Sequence, residues 1–173
     1  MGHPVLRVRA REVEPSEIRT LRVQQMIDDM IATVHEYQGV GLAATQVHET
    51  LRLFVADVGS DDEEHEGEAP ELVIINPEIR AVGPAVVEDW EGCLSIPDVR
   101  GKVPRAAEIQ VRGFDRHGAR LSLCATGFRA RVIQHETDHL DGILFLDRMT
   151  SFQTLTFLEE YARFWSKAHT PPE

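Results

Sequence analysis

The run His135-Glu136-Thr137-Asp138-His139 holds three side chains that could do chemistry together. Two imidazoles four residues apart on a helix lie on one face and can converge on a single cation. A glutamate beside the first of them can reach a water on that cation and carry its proton. Phe128 and Val132 share the helical face of the two histidines, which aims the imidazoles at the interior. Buried polar groups need partners, and a metal ion is one. Two core histidines satisfied by hydrogen bonds are the competing reading.

Two histidines make half a site, so the third ligand decides the class. A metzincin would place a third histidine where this chain has Phe145, which removes that option. A thermolysin-like peptidase takes a glutamate from a later helix, and Glu159 or Glu160 fit by spacing alone. The remaining candidates are Cys93 and Cys124, whose thiolates suit zinc or ferrous iron. Cys124 falls in a strand-like run and reads as a small core residue. Cys93 sits in Glu91-Gly92-Cys93-Leu94-Ser95-Ile96-Pro97, where glycine and proline predict a shaped, non-repetitive backbone.

The elements that must position these groups are visible as periodicities. Apolar residues at Val23, Met26, Ile27, Met30, Ile31, Val34 and Tyr37 predict an amphipathic helix over 16–37, capped near Glu14–Ser16 and broken at Gly39 and Gly41. Segments 51–58, 71–79, 107–114 and 119–125 read as strands, the last two joined by a turn at Asp115–Gly118. The histidine helix stops near Gly142, and a second amphipathic stretch is expected over 151–166. Strands and helices do not alternate, so the predicted class is α+β. Mixed or antiparallel sheets should pack around a central metal-binding helix, with an N-terminal and a C-terminal helix, in one domain over 1–173.

Three segments, GVGLAATQ at 39–46, EGCLS at 91–95 and QHETDHLDG at 134–142, resemble the signature motifs of peptide deformylases, in order. LFLDR at 144–148 resembles the family's continuation after the metal helix, and the likeness covers about residues 4–150. The resemblance implies an enzyme that removes the N-formyl group from the formylmethionine of new polypeptides. Carried over by position, it implies Cys93, His135 and His139 as metal ligands. A metal-bound water or hydroxide would attack, with Glu136 as general base and acid. It implies the Gln46 amide and the Leu94 backbone N–H as oxyanion donors. Val40, Gly41, Phe128 and Val132 would line the methionine pocket, with Glu91 and Arg100 near the substrate. Gln46 could equally cap a strand, Glu91 serve as a structural acid, and Arg100 lie on the surface. One divalent ion per chain is expected, Fe2+ in vivo, with Zn2+, Ni2+ or Co2+ able to replace it. Whether Arg131 faces substrate or solvent is open at this stage.

Composition narrows the setting. The net charge of −11 speaks against a general nucleic-acid binder. No apolar run is long enough to span a bilayer, and the opening MGHPVLRVRARE resembles no signal peptide. A bacterial cytoplasmic enzyme is expected, although a processed organellar one would look the same. Free thiols fit both. The acidic run 61–70 reads as a solvated loop, with His65 in it not expected to bind metal. Residues 151–168 carry many aromatics but only Arg163 and Lys167 as strong bases, so no basic helix for ribosome docking is seen. N-formylmethionyl nascent peptides are the expected partners, and monomer and homodimer are equally compatible with the sequence.

Overall fold

The computed structural model describes residues 1–58 and 71–166, so the acidic run with His65 and the Pro-containing tail lie outside the described residues. The first helical region is two helices, α1 (Pro15–Ile18) and α2 (Leu21–Glu36). Thr20 separates them because its hydroxyl accepts from the Val23 N–H and so starts a new helix. In α1 the Glu14 N–H donates to the Glu17 carboxylate at 3.0 Å, half of a capping box.

Five strands form one antiparallel sheet in the order β1-β2-β3-β6-β7: β1 (Gly41–Ala43), β2 (Leu53–Ala56), β3 (Leu72–Ala81), β6 (Glu108–Phe114) and β7 (Arg120–Thr126). Strand alternation explains how this sheet serves two cores. Leu53 and Val55 join Val23, Ile27, Met30 and Val34 of α2, while Phe54 and Ala56 join the cluster on the opposite face. That second cluster includes Ala130, Val132, Ile133 and Leu140 of α3 (Gly127–Leu140). A bulge in β3 puts Asn76 at φ 52°, and its amide both donates to and accepts from the Val13 backbone at 2.9 Å.

A second sheet pairs β4 (Val86–Cys93) with β5 (Ile96–Ala106), and β5 with the short β8 (Thr156–Phe157). With α4 (Phe145–Arg148) it encloses a third cluster around Ile96, Val103, Leu144 and Phe145. Helix α3 therefore lies between two sheets, and residues 130–140 are buried except for Gln134. Gly142 ends this helix with φ 73°, where a side chain would also strike the Arg7 backbone.

Three further sequence expectations change. The Cys93 segment is not a non-repetitive loop but a tight hairpin, with Cys93 closing β4 and Ile96 opening β5. Cys124 is exposed on edge strand β7 and is not a core residue. The stretch 151–166 is not one helix: a 3-10 turn at Phe152–Thr154 and β8 precede a short α5 (Leu158–Phe164).

Candidate active site

Three elements converge at the site. Helix α3 supplies His135, Glu136 and His139, the β4–β5 hairpin supplies Cys93, and the 3-10 turn Ala44–Val47 after β1 supplies Gln46. The ligand atoms of Cys93, His135 and His139 lie within 4.8 Å of one another, and among the described residues they are the group suited to hold a metal. Cys93 Sγ is 3.2 Å from His139 Nε2, and the two imidazoles meet edge to face at 4.9 Å. Glu159 and Glu160 are exposed on α5 and belong to no such group.

Glu91 fixes the orientation of His135. Its Oε2 lies 2.9 Å from His135 Nδ1, which leaves Nε2 to face Cys93 and His139. The same carboxylate accepts from Arg105 at 2.9 and 3.0 Å and from Arg131 at 2.8 Å. Burial alone would raise its pKa, but the hydrogen bonds from His135 and Arg105 prevail and hold it at about 2. Glu91 is thus a fixed anion inside the protein. Arg105 continues the chain to Asp138, which also accepts from Arg148 at 2.6 and 3.1 Å. Arg131 borders the cleft but turns its guanidinium inward. It is buried and also donates to the carbonyls of Val87 and Val103, at 2.7 and 2.8 Å.

The donor set fits a divalent cation. Burial and the neighbouring His135 lower the pKa of His139 to about 3. Burial acts in the same direction on His135, but hydrogen bonds to Cys93 and Glu91 outweigh it and raise that ring to about 10. A thiolate and two imidazoles meeting at one point form a donor set that a divalent ion would accept, releasing whatever protons those donors carry.

Glu136 is buried, with no protein hydrogen-bond partner for its Oε2. Burial raises its pKa to about 7. A Cβ on Gly41 would lie 2.6 Å from its Oε1, so glycine is required for the carboxylate to sit here. Gln46 is oriented by its backbone neighbour: the Ala43 N–H donates to Oε1 at 2.8 Å. Its Nε2 consequently faces the site, 3.1 Å from Ser95 Oγ and 3.6 Å from Cys93 Sγ.

These groups open into a cleft of about 590 Å³. Val40, Gly41, Glu91, Leu94, Arg100, Phe128 and Val132, all expected from the sequence, line it. Val40, Leu94 and Phe128 leave 44%, 44% and 60% of their surfaces exposed, which makes an apolar mouth beside the metal ligands. Sequence reasoning missed Arg105, Asp138 and Arg148. The available signal was the density of ionisable groups between Arg131 and His139, too many for a helix with an apolar face unless buried partners await them.

A helix bearing two histidines and a glutamate, a cysteine from a neighbouring hairpin and an adjoining apolar cleft define a thiolate–imidazole metal hydrolase. The family model for polypeptide deformylase matches residues 1–154. Peptide deformylase 2 of Nostoc sp. is 44% identical over 170 residues, covering 96% of this chain and 93% of its own. Peptide deformylase 1A of Arabidopsis thaliana, chloroplastic/mitochondrial, is 39% identical over 91% of this chain and 63% of its own. The structure of a class I type b peptide deformylase from Acinetobacter baumannii bound to Met-Ala-Ser superposes with a TM-score of 0.78 at 36% identity. It covers 86% of this chain and 94% of that one. The chain belongs to the polypeptide deformylase family, metal-dependent hydrolases that remove the N-formyl group from nascent peptides.

Proposed function

We propose that this chain, as a single catalytic domain, carries out that hydrolysis at the cleft beside Glu136, with N-formylmethionyl peptides as substrates. The observation that carries the reading is the meeting of Cys93 Sγ with the His135 and His139 rings next to a buried Glu136 carboxylate whose Oε2 has no protein hydrogen-bond partner. Cys93, His135 and His139 would hold one divalent ion, Fe2+ in the cell by the family resemblance, while Zn2+, Ni2+ and Co2+ suit the same donors. When bound, such an ion would lower the pKa of a water toward 7 and polarise the formyl oxygen.

The protein's own groups do the rest. Glu136, poised near neutrality by burial, takes the proton of the attacking water and delivers one to the departing amine. The Gln46 Nε2–H and the Leu94 backbone N–H donate to the formyl oxygen as negative charge builds on it. Each such donor is worth about 2.7–4 kcal/mol in the transition state. Val40, Gly41, Phe128 and Val132 hold the methionine side chain, which places the formyl carbon beside Glu136. Glu91 acts through His135 by fixing its ring, and Arg100 meets the peptide further out.

The setting follows from the same features. Among the described residues, no helix is long and apolar enough to cross a membrane. With few bases in the C-terminal segment, the enzyme meets nascent chains without docking on the ribosome through that element. We place it in the bacterial cytoplasm, with a processed organellar form as the second reading, and as monomer or homodimer. The test is anaerobic formate release from formyl-Met-Ala-Ser by ferrous-loaded protein, beside its Glu136→Ala variant. Rapid release by the parent and its loss in the variant support the assignment. No release from verified metal-loaded parent protein refutes it.

A further inference from the structure

The family match ends at residue 154, yet the next twelve residues reach the substrate cleft. Strand β8 pairs with β5 through Val99 with Phe157 and Arg100 with Thr156. That pairing delivers Leu158, the first residue of α5, into the lining of the cleft. Leu158 remains 43% exposed, and no residue of α5 is buried in the protein. A helix with no buried residue needs another anchor, and aromatic contacts provide it. Trp90 of β4 meets Tyr161 at 5.0 Å and Trp165 at 5.6 Å, and the Tyr161 ring lies 5.5 Å under the Arg100 guanidinium.

Glu136 and Leu158 line one and the same cleft. Trp90, Pro97 and Val99 line it too, and the Trp90–Tyr161 ring contact and the Val99–Phe157 pairing tie them to β8 and α5, so the wall that includes Leu158 is apolar apart from Asp98 and Arg100. Arg100 lines the same cleft, its guanidinium over the Tyr161 ring at 5.5 Å, so the apolar stretch adjoins a cationic side chain that can meet a peptide carbonyl.

We propose that β8 and α5 form the outer wall of the substrate cleft, and that Leu158 with Trp90 makes a subsite for an apolar side chain downstream of the formyl-methionine. The proposal rests on the reading of this cleft as the deformylase substrate site. Leu158 is then a specificity residue, and Tyr161 a positioning residue that acts through Arg100. The N-terminal side of the same peptide is read by the α3 side chains Phe128 and Val132. Helix α3 and the C-terminal segment therefore read different parts of one substrate.

The test compares kcat/KM of the metal-loaded, full-length enzyme for formyl-Met-Ala-Ser, formyl-Met-Leu-Ser and formyl-Met-Ala-Leu. At least one leucyl peptide should be preferred by about tenfold, the lower end for methylene-scale apolar discrimination. Leu158→Ser should bring that ratio to within about twofold of one, through a higher KM for the leucyl peptide, and Leu158→Met should restore it. A purely structural role would lower efficiency on all three peptides alike and leave the ratio standing, and that result overturns the subsite. Equal efficiency of the parent enzyme on all three overturns it as well. Absence of formate from every peptide overturns the deformylase reading together with it, so the two failures are distinguishable.

Discussion

Helices α2 and α3 pack on opposite faces of the same five-stranded sheet, and they obey different rules. Helix α2 buries Val23, Ile27, Met30 and Val34 along one stripe and gives its other face to water. Its polar residues form exposed pairs such as Arg22 with Glu49 at 2.9 Å. Helix α3 has a sheet on either side, so most of its polar residues have little water to face. Arg131, His135, Glu136, Asp138 and His139 are all buried, and each must be matched by a charge, a hydrogen bond or an ion. Burial that would be a defect in α2 is the source of function in α3. It pushes Glu136 to about 7 and locks His135 against Glu91.

The contrast can be broken at graded cost. Glu136→Ala should lower kcat by about 10²–10⁴ while the metal content stays at one per chain, read by formate release and elemental analysis. Glu91→Ala strips His135, Arg105 and Arg131 of a shared acceptor. It should cost about 3–5 kcal/mol in denaturant unfolding, and weaken metal binding about 10–100-fold in a chelator competition. Ile27→Ala in α2 removes a fully buried side chain from the other face of the sheet. It should cost about 2–5 kcal/mol of stability, with kcat/KM of the folded enzyme unchanged. Arg22→Ala, at an exposed pair, should change stability by about 1 kcal/mol or less. Should Ile27→Ala impair catalysis as severely as Glu91→Ala, the division between a structural and a functional helix would fail.

The same division explains what could be read from the sequence. Helix α2 is legible because its burial follows a 3.6-residue period, and strands β2, β3, β6 and β7 because each carries an apolar run ended by a turn. The candidate metal helix is legible through His135 and His139 because side chains four apart share one face of a helix. The β4–β5 hairpin is not, since most of β4 faces solvent and its strand has no apolar pattern to betray it. Neither is the Arg105–Asp138–Arg148 network, whose Arg105 and Asp138 stand 33 residues apart and meet only after folding. Cys124 was misjudged because a strand has two faces and only one is covered at the edge of this sheet. Gly41 carried a second message that spacing could not give: the Glu136 carboxylate occupies the space of its missing side chain.

The proposed role of Cys93, His135 and His139 as holders of the metal beside Glu136 can be read by X-ray absorption at the metal edge of zinc-loaded enzyme. One sulfur at about 2.3 Å and two imidazole nitrogens at about 2.0–2.1 Å are expected, with the sulfur lost in Cys93→Ala. A shell of nitrogen and oxygen alone, or a sulfur that survives the substitution, would contradict it.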